Sequence, residues 1–189
     1  MTPRLYEEMM MKEWMLDPSH SSIDFKVRHM AISTVKGSFN TFSGMVTTEN
    51  DVIKTVEATI EAASIDTNDE KRDGHLKSAD FFDVENYPSL VFKSTNVESL
   101  GGGEYRVTGD MTMHGQTHPV TFDVEVGKPI KDPWGMTRSA ANVTGKLNRT
   151  DWGLEWNQVL EAGGLLVGEE VKFDFDVQAT VKQQETATA

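Results

Sequence analysis

Between Ser22 and His29 the chain alternates without a fault, with Ile23, Phe25, Val27 and His29 on one side and Asp24, Lys26 and Arg28 on the other. That is the period of a strand with one face buried. The period returns along most of the sequence. It runs through Val35, Gly37 and Phe39, changes phase near Thr41, and resumes at Phe42, Gly44 and Val46, a slip that predicts a bulge. Val56, Ala58, Ile60 and Ala62 share one face of the next strand. Leu90, Phe92 and Ser94 begin another, and Tyr105, Val107, Gly109, Met111 and Met113 follow. Val120, Phe122, Val124 and Val126 come next, then residues 136 to 147, and finally Val171 through Val181. The links are short and made of turn residues: Glu49 to Asp51, Gly101 to Gly103, and His114 to Pro119.

About eight strands joined by hairpin-length links predict an all-β meander rather than a βαβ fold. Closing the sheet into an antiparallel barrel would protect its edges, and about eight strands leave an interior sized for side chains or one small ligand. A two-sheet sandwich is the structural alternative. One stretch departs from strand periodicity. Thr67 and Glu70 have the spacing of a capping box and predict a short helix over residues 68 to 79. It is followed by Phe81, Phe82, Tyr87 and Pro88, an apolar plug expected to cover one end of a barrel.

With 189 residues the chain fits one domain with a core of its own. The expected organisation is an extension of mixed charge over residues 1–13, a domain over 14–182, and a polar fraying tail over 183–189. No cysteine occurs, which excludes disulfides, thiolate nucleophiles and cysteine-built zinc sites. A formal net charge of −12 argues against nucleic acid as a partner and against anionic membranes. No apolar run reaches the roughly 18 residues of a spanning helix, so stable membrane insertion is not expected. The first residues lack an apolar h-region, which makes a cytoplasmic location the expectation; a processed periplasmic or secreted form is the alternative.

Chemistry is harder to find. His114 and His118 stand four apart, but Gly115 and Pro119 place them across a turn instead of on one helix face, so no metal site is expected. There is no nucleophile elbow and no phosphate-cradling loop that opens a helix. The carboxylates Asp80, Asp83, Glu85, Glu169 and Glu170 show no acid and base spacing, and no catalytic residue and no cofactor are assigned. What stands out is an inward surplus of phenylalanine and methionine with interspersed glycine, which suits an adaptable cavity.

These residues fall in a familiar order. Asp17-x-x-His20-Ser21-x-Ile23-x-Phe25-x-Val27-x-His29-Met30 and Gly37-x-Phe39-x-x-Phe42-x-Gly44 resemble the opening of the YceI family of lipocalin-like, polyisoprenoid-binding proteins. Arg72-Asp73-x-His75-Leu76-x-Ser78-x-Asp80-Phe81-Phe82-Asp83, Gly109-x-Met111-Thr112-x-His114-Gly115 and Asn148-Arg149-x-Asp151-x-Gly153-Leu154 continue the likeness, which spans Asp17 to Val181. Met113 replaces a smaller aliphatic residue, and Trp152 stands where phenylalanine is common.

The resemblance implies an eight-stranded antiparallel lipocalin-like barrel with no catalysis. It would bind, store or transport a long-chain amphiphile: a polyisoprenoid, an isoprenoid quinone or a fatty-acid-like chain. The expected cavity wall takes Phe25, Val27, Phe39 and Phe42 from the first strands and Leu76, Phe81 and Phe82 from the helical segment. Phe92, Met111, Met113, Phe122, Trp152, Phe173 and Phe175 complete it. His29, Arg72, His75, Asp80 and Asn148 are the expected contacts for a polar head. A small hydrolase or isomerase acting on an amphiphile in the same cavity is the alternative, as is a barrel filled by its own side chains. Association of two copies through a sheet edge is left open.

Overall fold

The structure, a computed structural model, describes residues 11–182. Twelve strands form it: β1 Met11–Leu16, β2 Ser22–His29, β3 Ser33–Phe39, β4 Phe42–Glu49, β5 Val52–Glu61 and β6 Ile65–Asp66, followed by β7 Ser89–Gly101, β8 Glu104–Met113, β9 Gln116–Val126, β10 Ile130–Lys131, β11 Thr137–Asn148 and β12 Val167–Val181. The only α-helix among the described residues, α1, spans Glu70–Lys77.

These strands make a closed antiparallel barrel of eight staves, because three staves are each broken into two strands and the two-residue β10 only flanks β11. β1 and β2 lie end to end along one edge of β12: Trp14 pairs with Val181, and Phe25 with Phe173. Their partners across the sheet are β4 and β3 respectively. β5 and β6 continue the pattern beside β4 and β3. The remaining staves are β7, β8, β9, β11 and β12, and the β11–β12 ladder from Arg138 to Asn148 completes the ring. Side chains that alternate in sequence therefore alternate between lumen and solvent around the whole circumference.

The expected bulge near Thr41 is a larger break, in which Asn40 and Thr41 separate β3 from β4. A 3-10 turn at Pro18–His20 divides β1 from β2, with Asp17 accepting from the Ser19 amide at 3.1 Å. Several hairpin tips use residues that tolerate a left-handed backbone, namely Asn50 and Asp51 (φ 53° and 61°), the glycines from Gly101 to Gly103, and His114 with Gly115. The His114 turn holds two residues, so His118 and Pro119 belong to β9 instead of the turn.

Two other expectations are corrected. Helix α1 is shorter than residues 68 to 79, and its N-cap is Asp69, whose carboxylate accepts from the Arg72 amide at 3.0 Å. Thr67 does not cap it; it lies buried beneath, where its hydroxyl accepts from Arg72 Nε at 2.8 Å and its amide donates to Asp73 at 2.9 Å. The short helix buries no residue fully, so it is held by this polar knot and by its contact with β6 more than by its own propensity. The second correction concerns the N-terminal boundary. Met11 to Glu13 are paired with β4, so they are part of the barrel and not of an extension ending at residue 13. Residues 1–10 and the tail 183–189 lie outside the described residues.

Candidate ligand cavity

The lumen is a continuous cavity of about 1060 Å³. Its waist is aromatic: Phe92 meets Phe122 edge-on at 5.2 Å between centroids, Phe122 approaches Phe173 at 6.1 Å, and Phe173 approaches Phe175 at 5.6 Å. The phenyl rings and methionines of this wall would fill so narrow a barrel if they all projected to its axis. Glycines on neighbouring strands prevent that for three of the rings. A Cβ placed on Gly37 would fall 2.3 Å from Phe25 Cζ, one on Gly109 2.6 Å from Phe92 Cζ, and one on Gly145 2.8 Å from Phe122 Cδ1. Each ring thus lies over bare backbone and against the wall, the arrangement by which aromatic side chains cover glycine gaps in sheets.

One end of the lumen is framed by α1, the β2–β3 turn and the long β11–β12 loop. There His75 stands edge-on to Trp156 at 4.5 Å and to Phe81 at 5.1 Å, while its Nε2 is 2.9 Å from Asp80 Oδ2. Asp80 is exposed, so the pair reaches from solvent to the cavity wall. Beneath it lies Arg149, 4% exposed, whose guanidinium is 5.8 Å from the centroid of Phe81. Its donors go to backbone carbonyls: Nε to Gly168 at 2.9 Å, one terminal nitrogen to Leu154 and to Trp156 (the latter at 3.1 Å), the other to Val167 at 3.3 Å. Burial pushes this guanidinium below its ordinary pKa, and Glu169 opposes the shift. The side chain stitches the β11–β12 loop to the start of β12 and leaves a buried positive charge beside the apolar lumen.

At the other end, Trp14 Nε1 donates to Thr48 Oγ1 at 3.0 Å, which satisfies the only polar atom of a buried indole. Asp51, Lys128 and the Gly102–Gly103 backbone rim this end. Outside it, Arg138 bridges Asp17 at 2.6 Å and Asp132 at 3.6 Å, tying the β9–β11 loop to the turn after β1. Hydrogen bonds from Ser19 and then Arg138 hold the Asp17 carboxyl well below the usual carboxylate range.

The YceI-like domain model matches residues 14–179. The chain belongs to the YceI family. A UPF0312 protein of Staphylococcus aureus (strain N315) is 37% identical over 176 residues, covering 92% of this chain and all of that one. Among solved structures, a Campylobacter jejuni YceI protein is 26% identical with a TM-score of 0.71, over 84% of this chain and 91% of that one. Burkholderia cenocepacia BcnA has a TM-score of 0.76 at 24% identity, over 87% and 99% of the two chains. A polyisoprenoid-binding domain from Saccharophagus degradans shares the fold at 15% identity and a TM-score of 0.65, over 89% and 98%.

In this YceI barrel the structure brings most of the expected apolar wall together around the lumen. Phe25, Val27, Phe39, Phe92, Met111, Met113, Phe122, Phe173 and Phe175 line it, and Leu76, Phe81 and Phe82 line its helix end. Phe42 and Trp152 are placed elsewhere. Phe42 is buried in the core opposite Ile60 without lining the cavity. Trp152 packs under the β8–β9 hairpin, where its Nε1 donates to the Met111 carbonyl at 2.9 Å and its ring meets His118 at 5.2 Å. Of the expected head-group contacts, His29, Arg72 and His75 line the lumen. Asp80 does not reach it except through His75, and Asn148 is exposed and occupied as an N-cap, accepting from the Thr150 amide at 3.0 Å. Sequence reasoning missed Trp14, Tyr105, Arg149 and Trp156, all lining residues. Tyr105 lay on the inward face of a recognised strand and was legible; the other three carried no periodic signal.

Proposed function

We propose that this barrel binds one long-chain amphiphile, tail in the lumen, and stores or carries it without chemical change. The observation that supports this best is the cavity itself: about 1060 Å³, walled by phenyl rings and methionines, at or beyond the upper end of the roughly 300–1,000 Å³ usual for small-molecule sites. Each methylene transferred from water contributes about 0.8 kcal/mol, so a tail of about ten carbons supplies about 8 kcal/mol before association losses. A polyisoprenoid, an isoprenoid quinone and a fatty-acid-like chain all meet that description. The fold shared with a polyisoprenoid-binding domain and the family membership support the same reading. Lipid extraction and native mass spectrometry of the purified protein test it. A copurifying amphiphile is expected; a protein that carries none and takes up no fluorescent isoprenoid probe would end the proposal.

One observation favours a second reading. The His75–Asp80 pair, 2.9 Å apart at the cavity wall, has the form of an oriented general base, as a hydrolase or isomerase acting on the same amphiphile would need. Turnover of a bound amphiphile that His75→Ala abolishes would establish it; an unchanged ligand recovered after prolonged incubation would dismiss it.

A further inference from the structure

We propose that the loop tips beside the helix end of the barrel dock on a zwitterionic phospholipid bilayer, so that the cavity mouth faces the lipid from which its ligand comes. This rests on the lipid-binding reading for its purpose, but not for its test.

The β2–β3 hairpin tip is anomalous. Met30 and Ala31 adopt left-handed backbone, with φ of 54° and 57°, a conformation in which asparagine, aspartate and glycine carry the least strain. The tips at Asn50–Asp51 and Gly101–Gly103 use residues of that kind, and the third pairs a polar His114 with Gly115. This one presents Met30 and then Ile32, whose side chains are 42% and 82% exposed. Neither residue is explained by the turn or by the core.

A second loop adds to the same surface. The Met30 amide donates to the Leu166 carbonyl at 2.8 Å, which joins the tip to the β11–β12 loop. There Val159 and Leu165 face each other across an isolated bridge and are 79% and 43% exposed. Four large apolar side chains thus project from two touching loops. Exposed apolar clusters of this sort mark interaction sites.

Their position selects the partner. Arg28 and His29 precede the tip, Leu166 and Val167 follow the second loop, and all four line the cavity. The projecting side chains are therefore continuous with the mouth through which an amphiphile would pass. Two narrow tips offer little of the flat area, roughly 800 Å² per partner, that a stable protein interface needs, whereas shallow insertion into an acyl boundary needs only apolar tips. The charges of the cavity rim and of the second loop are mixed, with Arg28, Lys71 and Asp69 lining the cavity and Glu155 and Glu161 in the β11–β12 loop, and the chain carries −12 overall. Attraction to an anionic surface is not built in, so the zwitterionic bilayer is the matching one.

The test uses the full chain and two variants, Ile32→Asp with Val159→Asp, and Met30→Asn with Ala31→Gly. The second pair suits the left-handed turn better than the native residues do and removes apolar surface without threatening the fold. Cosedimentation with phosphatidylcholine vesicles should fall about tenfold in the Asp variant and measurably in the turn variant, and the native binding should survive high salt. Transfer of a fluorescent isoprenoid probe from those vesicles should slow in both variants, while uptake of the probe from detergent micelles stays native. Vesicle binding unchanged in both variants, or binding that appears only on anionic vesicles and vanishes in salt, would overturn the docking surface. A native protein that takes the probe from neither source would remove the lipid-binding reading instead, and cosedimentation would still decide docking.

Discussion

Gly37 lies directly across from Phe25 in the β2–β3 pair, so close that a methyl group on Gly37 would overlap the phenyl ring. The ring can rest against the wall only because its neighbour has no side chain. Gly37→Ala is therefore expected to drive Phe25 towards the axis, with an overpacking penalty of about 1–3 kcal/mol. Urea unfolding would record the lost stability, and a titration with an isoprenoid probe the reduced capacity. A variant with native stability and native capacity would mean that the ring has another resting place.

Arg149 is expected to matter more to folding than to recognition. Replacing it with methionine keeps the volume but strips hydrogen bonds from the carbonyls of Leu154, Trp156, Val167 and Gly168. Each buried acceptor left unsatisfied costs about 1–3 kcal/mol, relieved in part where water can reach it, so a net loss of about 3 kcal/mol is expected. Arg149→Lys should not restore it, since an ammonium cannot span acceptors arranged around a planar fork. Equilibrium unfolding of the two variants side by side is the measurement.

The Asp17 carboxyl supplies a pH dependence whose sign is fixed by its hydrogen bonds. Ser19 and Arg138 hold its folded pKa below the unfolded value, which is about 3.9 for an aspartate. Its contribution is complete well above about pH 4 and is lost as pH falls from there towards the folded value. Asp17→Asn should lower stability at pH 7 and leave a shallower decline between about pH 5 and pH 2. Unfolding midpoints of both proteins across that range should converge on the acid side; parallel curves would show that Asp17 is not the titrating group.

Phe81 and Phe82 line the end of the lumen beside α1, and Phe82 meets the Phe39 ring edge-on at 5.9 Å. Truncating the buried Phe81 should cost about 3–5 kcal/mol, and truncating the half-buried Phe82 less. Both changes are expected to speed release of a bound probe. Stopped-flow dissociation gives the rates, and a native rate in Phe82→Ala would show that this segment does not cover the ligand.

Most of the strands were legible because a barrel wall imposes one rule on every stave, and residues such as Ile23, Phe25 and Val27 state it openly. Strands β1 and β6, which complete the staves of β2 and β5, were not read as strands, since such broken staves depend on how a bent strand meets its neighbours rather than on local composition. Thr67 was misread as a cap because its hydroxyl is spent on a carboxylate and a guanidinium from within the helix, and Asp69 took the position instead. Arg149 was noticed as part of a motif but given no role, for a related reason. Its partners are main-chain carbonyls, one of them Gly168 in the following strand, and no side-chain pattern announces such acceptors. Asn148, by contrast, was seen and misassigned: the same amide that suits a ligand suits an N-cap, and the nearer partner won.

The two ends of the described chain meet in the wall, where Trp14 and Leu16 in β1 pair with Val181 and Ala179 in β12. During synthesis the earlier strands can therefore assemble only into an open trough, with Phe25, Phe92 and Phe122 exposed along its floor. Pairing between the most distant segments is the slowest kind to form. The nascent trough is vulnerable to aggregation over that interval, and an amphiphile present at the ribosome exit would find the lumen accessible from its whole side. Loading during closure and loading through the finished mouth are then separate routes, with different demands on where the ligand must be.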